Sequence, residues 1–441
     1  MSTEPVIIIG AGWAGLAAAV KLTQQGKHVI VYESAKQAGG RARGIAFDNK
    51  NVDNGQHILI GAYLECLDLM KTVGVDIEQS LKRLPLLLSV IDKQANLILK
   101  APALPAPLHL LYALFSAKGL QFKDSMAAIK FGLTLQIKKY QLKQDISVAE
   151  LFRRTNQTEI LIRQLWEPLC LATMNTPIEI ASANVFMKVF KDAFTNKRSD
   201  ADLLLPTIDL SSLFPNAAIQ YIKKQGGEVY LKSRVENIEV INDKVNSVKI
   251  KQDNEMQIIK TENVIIATAP QNLNKLISDI PELEILNNQV AQFKYQPIVT
   301  VYLQYADDIK LNQAMIGLSS TLSQWAFDRG SFCQQPGLIS VVISSNGDHM
   351  TMDDDTLTQS VENEIAVLFS EKPILIKSFV IREKRATFAS TVNINDIRPK
   401  NETGITGLTL AGDYTNTEYP ATLEGAVRSG LIAANLTLLN R

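Results

Sequence analysis

The sequence predicts an α/β fold in which one buried sheet is assembled from widely separated parts of the chain. Residues 6–15 read as an apolar strand that runs into a glycine-rich turn and the start of a helix. Residues 408–430 read as a second buried strand followed by another helix, about four hundred positions later. Strand-like and helical stretches lie between them. We therefore expect a discontinuous α/β domain, with the intervening segments forming a second, α+β domain.

Composition sets limits on the class of protein. The chain has 441 residues, which is long for one compact core, so two packed domains are the default expectation. Lys plus Arg equals Asp plus Glu, 45 each, so no global field attracts nucleic acid. Cys66, Cys170 and Cys333 are odd in number and far apart. They fit reduced thiols in the cytoplasm, and neither a disulfide framework nor a metal site.

The chain start and the apolar segments bear on membrane attachment. Residues 1–5 are polar and lead directly into the first strand, so we expect no signal peptide. No run of eighteen apolar residues predicts a spanning helix. Residues 101–117 nevertheless lack charged side chains, and residues 118–143 hold six lysines against one acid, Asp124. This pattern suits either peripheral binding to the inner face of an anionic membrane or a core helix with a solvated lysine face.

The first strand and turn carry a dinucleotide fingerprint. The glycines allow a tight turn and let the backbone approach a pyrophosphate at the helix N-terminus, where free N–H groups and the helix dipole favour negative charge. We expect cofactor contacts from this turn at Gly10, Gly12, Ala14 and Gly15.

The next strand, residues 28–32, ends in Glu33, eighteen positions after Gly15. An acid there accepts hydrogen bonds from an adenosine ribose and repels a 2′-phosphate, which disfavours NADP. Gly39, Gly40 and Arg41 follow. Their spacing predicts a loop that approaches the same pyrophosphate, with a guanidinium able to bind phosphate.

Residues 52–57 combine polar and small residues between apolar runs, which suits a backbone passing close to a ring system. Among four histidines, His57 alone lies in such a constellation, together with Asp53, Gly55 and Gln56. His57 reads equally well as a hydrogen-bonded structural histidine.

The middle of the chain supplies the remaining elements. Periodicity and end signals predict helices over 61–73, 147–154, 157–172 and 182–194. They predict a hairpin over 86–100 and strands within 227–268 and at 298–305, 338–344, 374–381 and 408–411.

The last strand is followed by Gly412 and Asp413, and a helix begins near Thr422. An acid at this strand end can bind a ribitol chain, which nicotinamide nucleotides lack. The helix N-terminus would face the N1/C2 side of a flavin and stabilise the negative charge of its reduced form. These features narrow the cofactor to FAD, with Leu423 and Ala426 beside the ring.

With these segments in view, the chain resembles the FAD-dependent amine oxidase and phytoene desaturase superfamily, which implies a Rossmann-like FAD domain of the p-hydroxybenzoate-hydroxylase type. Four long stretches resemble the squalene-associated desaturases, or hydroxysqualene dehydroxylases, more specifically: 52–63, 165–177, 202–215 and 419–430. The resemblance also implies that Val235 contacts the adenine through its backbone and that Gly55 to His57 lie along the flavin.

The expected domain boundaries follow from this arrangement. The FAD-binding domain would comprise residues 1–84, 209–290 and 396–441. The substrate and membrane-facing domain would comprise residues 85–208 and 291–395.

The activity implied by the resemblance is reductive removal of the allylic hydroxyl of hydroxysqualene, with a long apolar isoprenoid as substrate and an electron donor of unknown kind. Such a site needs an acid near the leaving oxygen and exclusion of water. We expect His57 as the acid with Asp53 as its orienting partner, and Tyr414 and Tyr419 as alternatives. Phytoene-type desaturation, amine oxidation and a non-catalytic flavin-binding role are the competing functions.

Overall fold

The computed structural model describes residues 4–439, so the first three residues of the polar chain start and the last two residues of the expected FAD domain lie outside it. Its strands are β1 (Val6–Ile9), β2 (Val29–Tyr32), β3 (Gly44–Phe47), β4 (Lys50–Asp53), β5 (Leu59–Ile60), β6 (Leu81–Leu84), β7 (Leu87–Ile91), β8 (Leu97–Lys100), β9 (Leu203–Pro206), β10 (Glu228–Tyr230), β11 (Ser233–Ile241), β12 (Lys244–Gln252), β13 (Glu255–Lys260), β14 (Asn263–Ile266), β15 (Tyr295–Gln304), β16 (Met315–Leu318), β17 (Trp325–Asp328), β18 (Leu338–Ser344), β19 (Lys377–Phe388) and β20 (Leu408–Leu410).

The α-helices of the described residues are α1 (Trp13–Gln24), α2 (Leu64–Thr72), α3 (Ile77–Ser80), α4 (Leu108–Ser116), α5 (Phe122–Ile137), α6 (Val148–Arg154), α7 (Glu159–Leu161), α8 (Glu167–Met174), α9 (Ala183–Phe194), α10 (Leu210–Leu213), α11 (Pro215–Lys224), α12 (Pro270–Ile277), α13 (Glu284–Ala291), α14 (Gly330–Cys333), α15 (Asp354–Ile365), α16 (Ile394–Ile397) and α17 (Leu423–Leu439). A π-helical turn, Ile162–Trp166, joins α7 to α8.

The central sheet has five parallel strands in the order β10-β2-β1-β14-β20. The strands β1, β2 and β20 are buried along their whole length, as expected when helices cover both faces of a parallel sheet. Helices α1 and α17 pack closely on each other, and a Cβ at Gly430 would lie 2.2 Å from the carbonyl oxygen of Ala14. This sheet confirms the predicted α/β fold with a Rossmann-like nucleotide-binding core.

A second sheet of seven strands is ordered β19-β15-β18-β17-β16-β7-β8, and its pairs are antiparallel except for β16 with β7. A three-stranded antiparallel sheet, β11-β12-β13, extends from the nucleotide-binding region. Strand β9 pairs with β5 and β6, which joins the expected second domain to the first. The exact domain boundaries stay a prediction.

Most predicted elements coincide with observed ones, and the differences have local causes. The helix expected over 61–73 begins only at Leu64, and the amides of Gly61 and Ala62 before it donate hydrogen bonds to the carbonyls of Asp202 and Asp200. A π-turn interrupts the helix expected over 157–172. Helices α11 to α13 lie in stretches for which we predicted no element. None of the helices in the described part of the chain has the length and apolar character that crossing a bilayer requires.

Candidate functional site

A cavity of about 540 Å³ opens at the carboxyl ends of the parallel strands, the usual ligand position in an open α/β sheet. The residues that follow β1, β2, β14 and β20 all contribute to its wall. It continues from there to side chains of the second sheet and of α8. Among the predicted cofactor residues, its lining includes Gly10, Gly12, Ala14, Glu33, Gly40, Arg41, Gly55, Gln56, His57, Val235, Gly412, Asp413, Thr422, Leu423 and Ala426.

The glycines of the fingerprint have distinct structural roles. Gly10 has a φ of +111°, and a Cβ there would lie 2.7 Å from the carbonyl oxygen of Ala267. A Cβ at Gly15 would lie 2.0 Å from the carbonyl oxygen of Gly10. A Cβ at Gly12 would meet no heavy atom within 4 Å, although Gly12 lines the cavity. Gly10 and Gly15 are therefore required by the fold, whereas Gly12 keeps space open in front of the N-terminus of α1.

The loop at Gly39 and Gly40 lies against this turn. The Gly39 amide donates a hydrogen bond of 2.8 Å to the Ala11 carbonyl, and a Cβ at Gly40 would lie 3.4 Å from the Gly12 Cα. The Glu33 carboxylate accepts a 2.8 Å hydrogen bond from the Ala11 amide at the same edge of the cavity. The structure thus brings together the fingerprint, the acid and the glycine loop that the sequence separates by thirty positions.

Arg41 forms an ion pair with Asp413, and both residues line the cavity. Its Nη2 lies 2.6 Å from Asp413 Oδ1, and its Nη1 donates to the Ala386 carbonyl at 2.9 Å. We predicted a phosphate contact for Arg41 and a ribitol contact for Asp413. The two side chains are joined directly, so both bound-state contacts stay predictions, and the pair fixes the last strand of the sheet against the glycine loop.

The expected pairing of Asp53 with His57 is wrong. His57 Nδ1 is hydrogen bonded to the Gly55 carbonyl at 2.7 Å, and no hydrogen bond within residues 4–439 joins the two side chains. Asp53 points instead to the N-terminus of α10, where its Oδ1 accepts from the Leu210 amide at 2.7 Å. The reason is geometric: Asp53 is the last residue of β4 and does not line the cavity, whereas residues 54–57 that follow it do.

Burial shapes the proton affinity of both groups. Asp53 is 1% exposed, and desolvation raises its pKa to about 7 against the opposing effects of Arg329 and the Leu210 amide. Desolvation lowers the pKa of His57, and the positive charge of Arg41 lowers it further, while the bond to Gly55 opposes this. His57 lines the cavity, and its Nε2 has no hydrogen-bond partner among the described residues.

The side chain of Gln56 is hydrogen bonded to a buried arginine, Arg329, for which we predicted no role from the sequence. Arg329 is 1% exposed and donates from Nη1 to Gln56 Oε1 at 2.6 Å and from Nε to Gln335 Oε1 at 2.6 Å. Ser340 Oγ also donates to Gln56 Oε1, at 3.2 Å. This network fixes the segment from Asn54 to His57 along the cavity wall.

A second missed residue, Arg398, organises the loop after β20. The residue is 4% exposed, and its guanidinium donates to the carbonyl oxygens of Asp413 at 2.9 Å and Tyr419 at 2.7 Å. Burial lowers the pKa of Arg398 to about 10, which leaves it charged. The loop between Asp413 and the start of α17 therefore surrounds the Arg398 guanidinium.

The two tyrosines considered as alternative acids occupy different environments. Tyr414 is fully buried, its hydroxyl has no partner among the described residues, and it does not line the cavity. Tyr419 donates its hydroxyl to Asp192, beside the ion pair of Lys188 with that carboxylate. Burial raises the pKa of both hydroxyls far above the usual range. Neither is placed as well as His57 to meet a molecule in the cavity.

The far end of the cavity is mainly apolar. Met174, Ile298, Trp325, Phe327 and Val342 line it. Asn175 ends α8 in the left-handed conformation and lines the cavity between them, with φ +47°. Its amide donates to the Pro297 carbonyl at 3.2 Å and accepts from the Ser345 amide at 2.7 Å, which ties α8 to β15 and β18.

The residues present fit FAD. The cavity lining includes both the glycine cradle, which is suited to a pyrophosphate, and the residues at the N-terminus of α17. Thr268 contributes a buried hydroxyl that has no partner among the described residues. Val235 lines the cavity where β11 has a bulge between Val235 and Asn237, which turns its backbone out of the regular ladder.

Comparison with known proteins agrees with this geometry. The sequence profile of the family described as flavin containing amine oxidoreductase matches residues 13–438. The hydroxysqualene dehydroxylase of Zymomonas mobilis subsp. mobilis is 28% identical over 435 residues, which cover 98% of each chain. The 15-cis-phytoene desaturase of Glycine max is 26% identical over 466 residues, covering 97% of this chain and 78% of the desaturase. The solved cyclohexylamine oxidase from Brevibacterium oxydans has the same fold, with a TM-score of 0.70 at 16% identity, covering 99% of this chain and all of that one.

Proposed function

The chain belongs to the flavin containing amine oxidoreductase family, and on that premise we propose that it reductively removes the hydroxyl of hydroxysqualene to give squalene, in squalene and hopanoid biosynthesis. The family, the fold and the cavity all agree that the protein is an FAD-dependent oxidoreductase. The observation that carries the finer proposal is the similarity to hydroxysqualene dehydroxylases along almost the whole chain. An amine oxidase would share the cofactor site but not that similarity.

The cavity supports a long apolar substrate. Its inner walls carry aromatic and aliphatic side chains, including Trp325 and Phe327, at the end away from the glycine cradle. Such walls exclude water from the reacting carbon and accommodate isoprenoid units. Reduced FAD, when bound, supplies a hydride. The substrate hydroxyl leaves as water and needs one proton, so the chain must hold a proton donor at the cavity wall.

We propose His57 as that donor. Its Nε2 is free of hydrogen bonds among residues 4–439, while Nδ1 is fixed by Gly55, so the ring is oriented for contact with a ligand. Because burial lowers the pKa of His57, the charged form is populated only at lower pH than for an ordinary histidine. We therefore expect the rate of dehydroxylation to fall as pH rises through this lowered pKa.

An anaerobic single-turnover experiment tests the function. The enzyme is reduced and mixed with hydroxysqualene, and flavin reoxidation and squalene formation are followed together. We expect squalene to appear at the rate of flavin reoxidation. Wild-type enzyme that reoxidises without forming squalene would refute the proposal.

The role of His57 is tested in the same assay. His57→Ala should retain bound FAD but lose at least about 100-fold in rate, the usual contribution of a positioned acid. His28→Ala is the matched control, because the His28 side chain is exposed and its one ion pair within residues 4–439 is with Glu228. Squalene formation at the wild-type rate by His57→Ala would remove the histidine from the acid role without affecting the proposed reaction.

Phytoene-type desaturation is the second candidate, favoured by the similarity to the Glycine max desaturase. It would use the same apolar cavity with oxidised flavin and remove hydrogen from the substrate. Oxidised enzyme incubated with phytoene distinguishes the two: a conjugated product absorbing at longer wavelength supports desaturation. The absence of such a product, together with squalene formation in the reductive assay, supports dehydroxylation.

A further inference from the structure

Helices α4 and α5 form a hairpin with apolar side chains on two opposite faces. The inner face of α5 carries Ala128, Phe131 and Leu135, each no more than 3% exposed. The Phe131 ring packs against Trp166, with ring centroids 5.2 Å apart. This face accounts for the packing of the hairpin on the rest of the protein.

The outer face of the hairpin remains uncovered. Large apolar side chains recur at helical spacing on it, and they are exposed by 43% to 83%: Leu108, Tyr112 and Phe115 on α4, and Phe122, Met126, Leu133 and Ile137 on α5. The rings of Phe115 and Phe122 contact each other with centroids 6.1 Å apart, so the two helices present one continuous surface. Folding does not require this surface, because the opposite face already provides the core contacts.

The hairpin is held firmly. Ser125 Oγ on α5 donates a 2.7 Å hydrogen bond to the Leu114 carbonyl on α4. Lys118, in the connection, forms two backbone hydrogen bonds of 3.0 Å with Ile98 of β8. A Cβ at the neighbouring Gly119 would lie 2.3 Å from the Asn96 carbonyl oxygen. The outer face is therefore presented by a defined structure and not by a loose loop.

The charged side chains around this outer face indicate what kind of partner it binds. Six exposed lysines flank it, and no ion pair of the described residues includes any of them: Lys118, Lys123, Lys130, Lys138, Lys139 and Lys143. Asp124, the one acid between residues 101 and 143, is buried and caps α5. A second copy of this chain would bring the same positive charges face to face, which disfavours a dimer. Apolar side chains flanked by lysines match an anionic bilayer surface.

We propose that the α4–α5 hairpin is the docking surface by which this protein attaches peripherally to anionic membranes, with its outer apolar side chains inserted at the level of the headgroups. The proposal stands on the surface alone and does not depend on which substrate the enzyme uses. If the proposed function also holds, the same surface places the enzyme where an isoprenoid dissolved in the bilayer can reach it.

Vesicle sedimentation of the FAD-loaded enzyme tests the docking surface. Vesicles of phosphatidylcholine with about 30% phosphatidylglycerol should bind the wild type, and pure phosphatidylcholine vesicles should bind it much more weakly. The double variant Phe122→Gln/Ile137→Gln should lose most of the binding to both. Ile374→Gln/Ile376→Gln is its matched control, because these side chains are 87% and 65% exposed outside the hairpin. Equal losses in the two double variants, or no binding of the wild type, would overturn the proposal.

The electrostatic part has its own variants. Neutralising Lys123, Lys130 and Lys138 to Gln should weaken partitioning into anionic vesicles by about five-fold per lysine, or roughly 100-fold together. The same change at Lys223, Lys224 and Lys251, which are exposed elsewhere, is the control. An equal loss in the control would show that net charge, and not this surface, is responsible.

Insertion can be observed directly. The native tryptophans, Trp13, Trp166 and Trp325, are all buried, so a tryptophan introduced by Tyr112→Trp would dominate any change in emission on vesicle addition. We expect a blue shift and quenching by brominated lipid acyl chains. Self-association that is abolished by the outer-face variants, without a blue shift on vesicles, would assign the surface to a second copy and overturn the proposal.

Discussion

Gly12→Ala separates the requirements of the cofactor from those of the fold. Gly12 precedes α1 with φ −74° and ψ 176°, which alanine adopts without strain, and a Cβ there would meet no heavy atom within 4 Å. Alanine is a poorer N-cap than glycine by up to about 1 kcal/mol, and the lower entropy of the unfolded chain returns roughly 0.4–1 kcal/mol. The free energy of unfolding of the apoprotein should therefore stay within about 1 kcal/mol of the wild type.

FAD affinity should respond much more strongly. The new methyl group would occupy the open space at the N-terminus of α1, where the pyrophosphate is expected to accept backbone hydrogen bonds. Loss of one hydrogen bond to a charged group costs about 1.5–3 kcal/mol, which weakens the Kd by roughly 10- to 150-fold. The measurement is titration of the apoprotein with FAD, followed by flavin fluorescence, beside thermal unfolding of the same sample.

Two further glycine substitutions make the result interpretable. Gly132→Ala also meets no atom within 4 Å, but it lies within α5, so it should leave FAD affinity unchanged and stabilise the helix by about 0.5–1 kcal/mol. Gly15→Ala should prevent folding, because its Cβ would lie 2.0 Å from the Gly10 carbonyl oxygen. A Gly12→Ala protein that binds FAD as tightly as the wild type would refute the placement of the pyrophosphate at this turn.

Two other side chains give predictions with defined signs. The pKa of Asp53 is raised to about 7 in the folded protein, above its value of about 3.9 in an unfolded chain, so the folded state binds this proton more tightly. The stabilisation of the folded state by this proton is therefore complete below pH 4 and is lost as the pH rises through 7. Asparagine carries no charge at any pH, so Asp53→Asn should raise Tm at pH 8 relative to wild type. An unchanged or lower Tm would contradict the raised pKa of Asp53. Arg398→Met should destabilise the protein by about 3–5 kcal/mol in thermal unfolding, because several buried carbonyl groups lose their donor. Arg154→Met, at a side chain 59% exposed, should cost less than about 1 kcal/mol, and equal Tm losses would contradict the role of Arg398.

The cofactor half of the site was predictable because its signals are local. A turn that needs glycine follows an apolar strand, and an acid follows the next strand, so short stretches of sequence specify both the backbone path and the chemistry. The carboxyl ends of parallel strands meet at one edge of the sheet, which is why Gly10, Glu33 and Asp413 line one cavity despite their separation in the chain.

The supporting cations were not predictable in the same way. Arg329 reaches Gln56 across 273 positions, and Arg398 reads in the sequence as a charged residue of a surface loop. A buried arginine and a solvated one look alike until the carbonyl and amide groups around them are placed. The error in pairing Asp53 with His57 has the same origin, since proximity in sequence does not show which way a side chain turns at the end of a strand.

In the segment from 101 to 143, hydrophobic periodicity predicts helices but does not show which of their apolar faces is buried. Along α5, residues 128, 131 and 135 form one apolar stripe and residues 122, 126, 133 and 137 form another, and both have helical spacing. Sequence alone therefore fits a core helix and a surface-binding helix equally well. In the structure one stripe is buried against Trp166 and the other is exposed beside lysines, so the core description holds for the inner stripe and membrane binding by the outer stripe stays a proposal. A helix that has already buried one apolar face gains nothing in folding from a second, and this is the reason why we propose a membrane contact for the exposed stripe.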